Sequence, residues 1–195
     1  MNNPKVMAVA IAFLGLQSLC IAVPETYSID PAHSTIGFKV KHLFSNVTGR
    51  FDKVEGVLTV DSDKPETSSV KVTIPVESID TANDKRDSHL RSPDFFNAKE
   101  KPDMTFVSKK VTPTGSDTAD VLGDLTLHGV TKEVPLKVHF LGKGKGMMGE
   151  TRSGWEATAS IKRSDFGLTW NKIIEGTAVV GDVVDINLQV EAVQK

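Results

Sequence analysis

Seven stretches of this chain alternate apolar and polar residues one by one, and that period of two constrains the fold more than any other feature. Ile36, Phe38 and Val40 alternate with glycine and lysine, and Val70, Val72, Ile74 and Val76 with polar residues and Pro75. The same rhythm returns at Met104–Phe106, Leu125–Leu127, Val134–Phe140, Trp155–Ile161 and Val184–Val190. A strand points successive side chains to opposite faces, so each stretch reads as a strand with one buried face. With Phe51–Val60 added there are about eight strands, separated by turn signals at 61–65, 112–117, 128–131 and 142–149. Short links and no crossover helices predict an all-β, eight-stranded antiparallel barrel or sandwich.

One segment breaks the rhythm. Residues 81–101 are polar and charged yet hold Leu90, Phe95 and Phe96, which predicts a short helical insertion around 83–100, capped at Asp84 and stopped by Pro93. Such an insertion crosses a barrel mouth or packs over one end.

The first 22 residues read as an export signal. Lys5 and the amino terminus are positive, Val6–Leu16 is apolar, and Cys20-Ile21-Ala22 ends in the small–any–small pattern of a cleavage site. The apolar run is shorter than the roughly 20 residues that span a bilayer. Residues 23–195 then form a single domain. The one cysteine is Cys20, so the remainder has no disulfide, thiol nucleophile or cysteine-based zinc site, which suits a bacterial periplasm.

With 23 lysines and arginines against 25 aspartates and glutamates, and no basic stripe, the chain lacks the footprint of a nucleic-acid binder. The mixed surface also argues against tight docking to anionic membranes and against stable membrane insertion. No nucleophile elbow is present. The five histidines, His33, His42, His89, His128 and His139, show no pairing at metal-ligand spacing, so neither a catalytic set nor a metal site is expected. Asp84, Asp87 and Asp94 lie among Arg86 and Arg91, an arrangement read as an ion-paired surface segment.

Several short motifs carry a resemblance. They are YSIDPAHSTIGFKVKH at 27–42, Gly49-Arg50-Phe51, HLRSPDFF at 89–96 followed by Pro102, GDLTLHGVT at 123–131 and RSDFGL at 163–168. In this order they resemble the YceI-like, polyisoprenoid-binding proteins along essentially the whole of 23–195. That resemblance implies a lipocalin-like barrel with a long apolar cavity. It also implies non-catalytic carriage or storage in the periplasm of a long-chain lipid: a polyprenyl phosphate, an isoprenoid quinone or a fatty amide. No other cofactor is implied. By analogy the apolar wall is assigned to Phe38, Val40, Phe51, Leu90, Phe95, Phe96, Phe106, Leu125, Leu127, Trp155, Phe166 and Leu168. Head-group contacts are assigned to His42, His89 and Arg91, which places the mouth near the 84–94 loop. The rival readings are an enzyme acting on such a lipid through Asp and His residues of that loop, and an unliganded stress-response barrel. An exposed edge or apolar rim can support a homodimer.

Overall fold

The structure, a computed structural model, describes residues 23–174 and 176–195. The expected export signal lies outside the described residues.

Each alternating stretch forms an antiparallel strand. β1 (Glu25–Ile29) leads into the hairpin of β2 (Thr35–His42) and β3 (Ser45–Phe51), followed by β4 (Glu55–Val60) and β5 (Ser69–Pro75). The short β6 (Ile79–Asp80) precedes a helix, α1 (Asp84–Arg91). Then come β7 (Asp103–Pro113), β8 (Thr118–Leu127), β9 (Val130–Lys145) and β10 (Thr151–Lys162). A small hairpin of β11 (Ile173–Ile174) and β12 (Thr177–Ala178) precedes β13 (Val180–Gln194).

The eight strands β1–β4–β5–β7–β8–β9–β10–β13 pair in that order, and β13 returns to β1, so the sheet closes into a barrel. Closure rests on the length of β13. One edge pairs with β10 from Val183 to Val193, while the other serves β2 first and then β1. Lower down, β2 and β3 fill the wall, and β3 meets β6 at Arg50–Asp80 and Phe51–Ile79. Every barrel strand lies within residues 25–194, so the barrel is complete without the first 22.

Turn chemistry agrees with the pairing. The β8–β9 hairpin turns on His128 and Gly129, both at positive φ (53° and 78°), as a two-residue turn matched to strand twist requires. Gly49 and Gly123 serve packing instead: a methyl on either would overlap the ring of Phe38 or Phe106, which lies across the bare backbone. The glycines therefore set where two aromatic rings rest inside the wall.

The seam between β1 and β13 is pinned by one guanidinium. Arg152 on β10 donates to Asp30 (2.8 Å), to Glu150 (2.6 Å) and to Glu191 on β13, and Asp30 N–H donates to Glu191 O at 2.8 Å. Hydrogen bonds from His33 and then Arg152 hold the Asp30 carboxyl down at about 2, against an ordinary 3.8. A depressed carboxylate contributes stability above its unfolded pKa and loses it as pH falls through the folded value. Asp30→Asn should therefore unfold at lower urea than the parent at pH 7, by on the order of 1 kcal/mol after solvent screening. The two urea midpoints should converge between pH 4 and 2. A gap unchanged at pH 2 would show that Asp30's charge does not stabilise the seam.

Two expectations are corrected. The helix runs over Asp84–Arg91 and ends before Pro93 as expected, but its cap is Asn83 rather than Asp84, the Asn83 side chain accepting from Arg86 N–H at 3.0 Å; residues 92–101 run through turns. The glycine-rich stretch expected as a loop at 142–149 is strand over its first half. β9 continues to Lys145 in register with β10, with Leu141 bulged out where the register shifts, and only the tip at 146–150 turns.

Candidate functional site

The barrel encloses a continuous cavity of about 730 Å³, within the roughly 300–1,000 Å³ that small-molecule sites occupy. Its walls come from the inward face of every barrel strand. Val70, Val72 and Ile74 stand on β5, and Val134, Leu136, Val138 and Phe140 on β9. Trp155, Ala157 and Ile161 line it from β10, and Val184, Ile186, Leu188 and Val190 from β13. An eight-stranded barrel is wide enough either to fill with side chains or to hold one small ligand. Here the buried apolar side chains gather in two clusters, one around Phe106, Leu125 and Phe166 and one around Ile36, Phe51 and Ile79, with Phe96 and Met104 packed against both, and space remains along the axis.

One end is shut. Leu90, Phe95 and Phe96, carried by α1 and the turns after it, line this end together with Leu127 and Leu168. The plug is fastened by backbone contacts. Arg91 donates to the carbonyls of Glu77 (2.9 Å) and Ile79 (2.7 Å), and buried Asp87 accepts from the N–H and hydroxyl of Thr81. Arg163, buried at this floor, donates to the carbonyls of Gly181 (2.9 Å), Trp170 (2.9 Å), Val180 (3.3 Å) and Leu168. Burial pushes its pKa below the usual guanidinium range, partly offset by Asp182.

The other end is open. The exposed residues that line the cavity all sit there: Ser62, Pro65 and Ser69 about the β4–β5 turn, Pro113, Gly115, Ser116 and Asp117 about the β7–β8 turn, and Lys143 on β9. Lys143 Nζ lies 2.8 Å from Glu25 Oε2, which also accepts from the Tyr27 hydroxyl at 2.6 Å. Lys143 first, then Tyr27, hold the Glu25 carboxyl below the usual range. Tyr27 is pushed up by burial and then by Glu25, so it stays a neutral donor.

Of the residues assigned to the wall from sequence, Phe38, Val40, Phe51, Leu90, Phe95, Phe96, Phe106, Leu125, Leu127, Trp155 and Leu168 line this cavity. Phe166 does not. The left-handed Gly167 that ends its turn leaves it packed in the cluster behind the wall, where its carbonyl lies 3.2 Å from His128 Nδ1. The three head-group residues are not brought together at the mouth. His42 ends β2 at the shut end, where it pairs with Val180, and Arg91 is spent on carbonyls. His89 faces Asp94 at 3.2 Å and packs edge-on against Phe95 and Trp170. The mouth residues were missed for two reasons: Ser116 and Asp117 lie in a turn, which carries no periodic signal, and Glu25 and Lys143 are polar residues at strand ends, where alternation marks only the apolar face. The further wall residues on β5, β9 and β13 shared the alternation that singled out Trp155.

Asp30, His33 and Glu191 also bring ligand atoms within 4.8 Å of one another. The Arg152 guanidinium already binds two of the three, so the cluster is read as part of the seam. Among the described residues no helix is long and apolar enough to cross a membrane.

The comparisons agree along the length of the chain. Residues 27–192 match the YceI-like domain. A UPF0312 protein of Pseudomonas putida (strain W619) is 39% identical over 177 residues, covering 89% of each chain. One from Pseudomonas fluorescens is 42% identical over 169 residues, covering 80% of this chain and 85% of that one. Among solved structures, the Campylobacter jejuni YceI protein is 39% identical with a TM-score of 0.69, covering 85% of this chain and 96% of that one. Burkholderia cenocepacia BcnA is 27% identical with a TM-score of 0.75, covering 84% and 98%. A polyisoprenoid-binding domain from Saccharophagus degradans shares the fold at a TM-score of 0.64 and 20% identity, covering 87% and 98%. The chain belongs to the YceI-like domain family.

Proposed function

We propose that the protein holds one long-chain isoprenoid-type lipid, a polyprenyl phosphate, an isoprenoid quinone or a fatty amide, in the periplasm and does not alter it covalently. The observation that carries this reading is the cavity: apolar along its walls, closed at one end over the carbonyl-bound Arg163, and lined by exposed polar residues where it opens. Each methylene withdrawn from water contributes about 0.8 kcal/mol, so a long tail favours such a sheath over solvent. The name of the similarly folded domain from Saccharophagus degradans indicates the ligand class to try first. In this reading the tail lies along the barrel and the head group sits at the mouth, where Lys143 and the hydroxyls of Ser62 and Ser116 supply donors.

The geometry does not favour the enzyme reading. Asp87 is engaged with Thr81 and His89 with Asp94, and neither lines the cavity. A barrel that works empty is disfavoured by the size of the apolar space.

The test is native mass spectrometry of the protein purified from periplasm, followed by extraction of what it carries. One equivalent of a prenyl lipid, quinone or fatty amide is expected. A ligand-free mass that incubation with these lipids does not change would overturn the proposal.

A further inference from the structure

The hairpin joining β9 and β10 leaves the barrel on the side of the mouth. β8 ends its pairing with β9 at Thr118–His139, and beyond it β9 runs on with only β10 beside it, to Lys145–Thr151. At about 3.4 Å per residue, Leu141–Gly146 carries the hairpin some ~20 Å past the edge of β8. At its tip stand Met147 and Met148, both fully exposed. Two adjacent unburied methionines at the end of a projecting ribbon contribute nothing to the core.

The charges behind them are distributed unevenly. Lys145 and Lys143 lie two and four residues before Met147 on the strand, and Lys145 has a neutral hydrogen-bond partner, Thr151 Oγ1 at 2.9 Å. Across the ring the β4–β5 turn is acidic, with Asp61, Asp63 and Glu66 against one lysine, Lys64, and Asp61 lines the opening. An interfacial element buries apolar groups ~5–10 Å into the head-group boundary. Strand spacing puts Lys145 ~7 Å behind Met147, at the level of the phosphates when the tip is inserted, and Lys143 ~14 Å behind it, nearer the mouth. Lys143 also lines the cavity, and Phe140 and Trp155, stacked with ring centroids 4.6 Å apart, continue the same two strands into it. Tip, cations and cavity wall thus lie in sequence along one ribbon.

We propose that the β9–β10 hairpin docks reversibly on a bilayer bearing anionic head groups, with Met147 and Met148 inserted and Lys145 at the phosphates, so that the mouth, where Lys143 pairs with Glu25, opens against the membrane. This builds on the lipid-holding role above and supplies the place where cargo is exchanged. The acidic far rim is repelled by the same surface, which makes the hairpin the side that touches.

The experiment is co-sedimentation of residues 23–195 with phosphatidylglycerol–phosphatidylethanolamine vesicles at low and high salt. The parent is expected to sediment with the vesicles and to be released by salt. M147S/M148S should lower the bound fraction at least fivefold, M147L/M148L should retain it, and Lys145→Gln should weaken it and flatten the salt dependence. Equal sedimentation of the parent and M147S/M148S would overturn the proposal. So would a vesicle-free dimer, seen by sedimentation velocity, that M147S/M148S dissolves, since the tip would then join two copies of the chain. Ligand retained in solution is measured separately on the same proteins. A parent that carries lipid but ignores vesicles removes the docking and leaves the carrier reading, and one that docks yet never carries lipid does the reverse.

Discussion

An Ala157→Trp protein is expected to purify folded and empty. Ala157 stands mid-strand on β10, paired with Val138 and Leu188, and all three line the cavity. An indole there projects into about 730 Å³ of open space rather than into packed neighbours, so the usual overpacking cost of about 1–3 kcal/mol is largely avoided. What it removes is continuity: the bore is divided at mid-length and a long tail no longer fits from mouth to floor. Ligand carried through purification should fall at least tenfold, equivalent to about 1.4 kcal/mol of affinity. Native mass spectrometry gives the occupancy, and near-ultraviolet circular dichroism checks that the tertiary packing survives. Full occupancy in a folded variant would place the cargo outside the barrel.

The second large effect concerns the floor. Arg163→Met should lower the melting temperature by about 6–12 °C, corresponding to about 3 kcal/mol for a domain of this size. The guanidinium gathers four backbone carbonyls from both sides of the segment that precedes β13, and a thioether takes away the donor to all four, of which Val180 keeps the Asn171 amide at 2.8 Å. Arg163→Lys should recover little, because one ammonium cannot reproduce the planar fork. Thermal melts of the three proteins decide it. A shift under about 2 °C for Arg163→Met would mean the carbonyls find other partners and the floor does not depend on this residue.

The barrel was legible because alternation is a local signal. Alternation put Phe38, Phe106 and Trp155 on the apolar face of their strands, the family resemblance turned that face inward, and the turn at His128-Gly129 was read from its own residues. The mouth was not legible for the opposite reason. Charge between residues 84 and 94 looked like a rim, yet Arg91 answers carbonyls at Glu77 and Ile79, more than ten residues earlier, and no pattern in the sequence marks a side chain bound to distant backbone. Phe166 sits in a motif of the right composition, and only the left-handed turn at Gly167 shows that it packs behind the wall. Whether a barrel of this width is filled or hollow depends on summed side-chain volume across eight strands, which no single strand records.

The strand that closes the barrel is also the last of the barrel strands to be made. β13 pairs Gln194 with Tyr27, partners separated by nearly the whole chain, and the same strand holds β2 and β10 in place. Joining such remote segments carries a large loop-closure entropy before any contact offsets it, which slows folding. Until its final residues are free, the growing chain is an open curved sheet with its apolar face uncovered and two unpaired edges, a form that favours association with other chains. A stop codon a dozen residues early would therefore leave no slightly shortened barrel. It would leave that open sheet permanently, a substrate for chaperones and proteases.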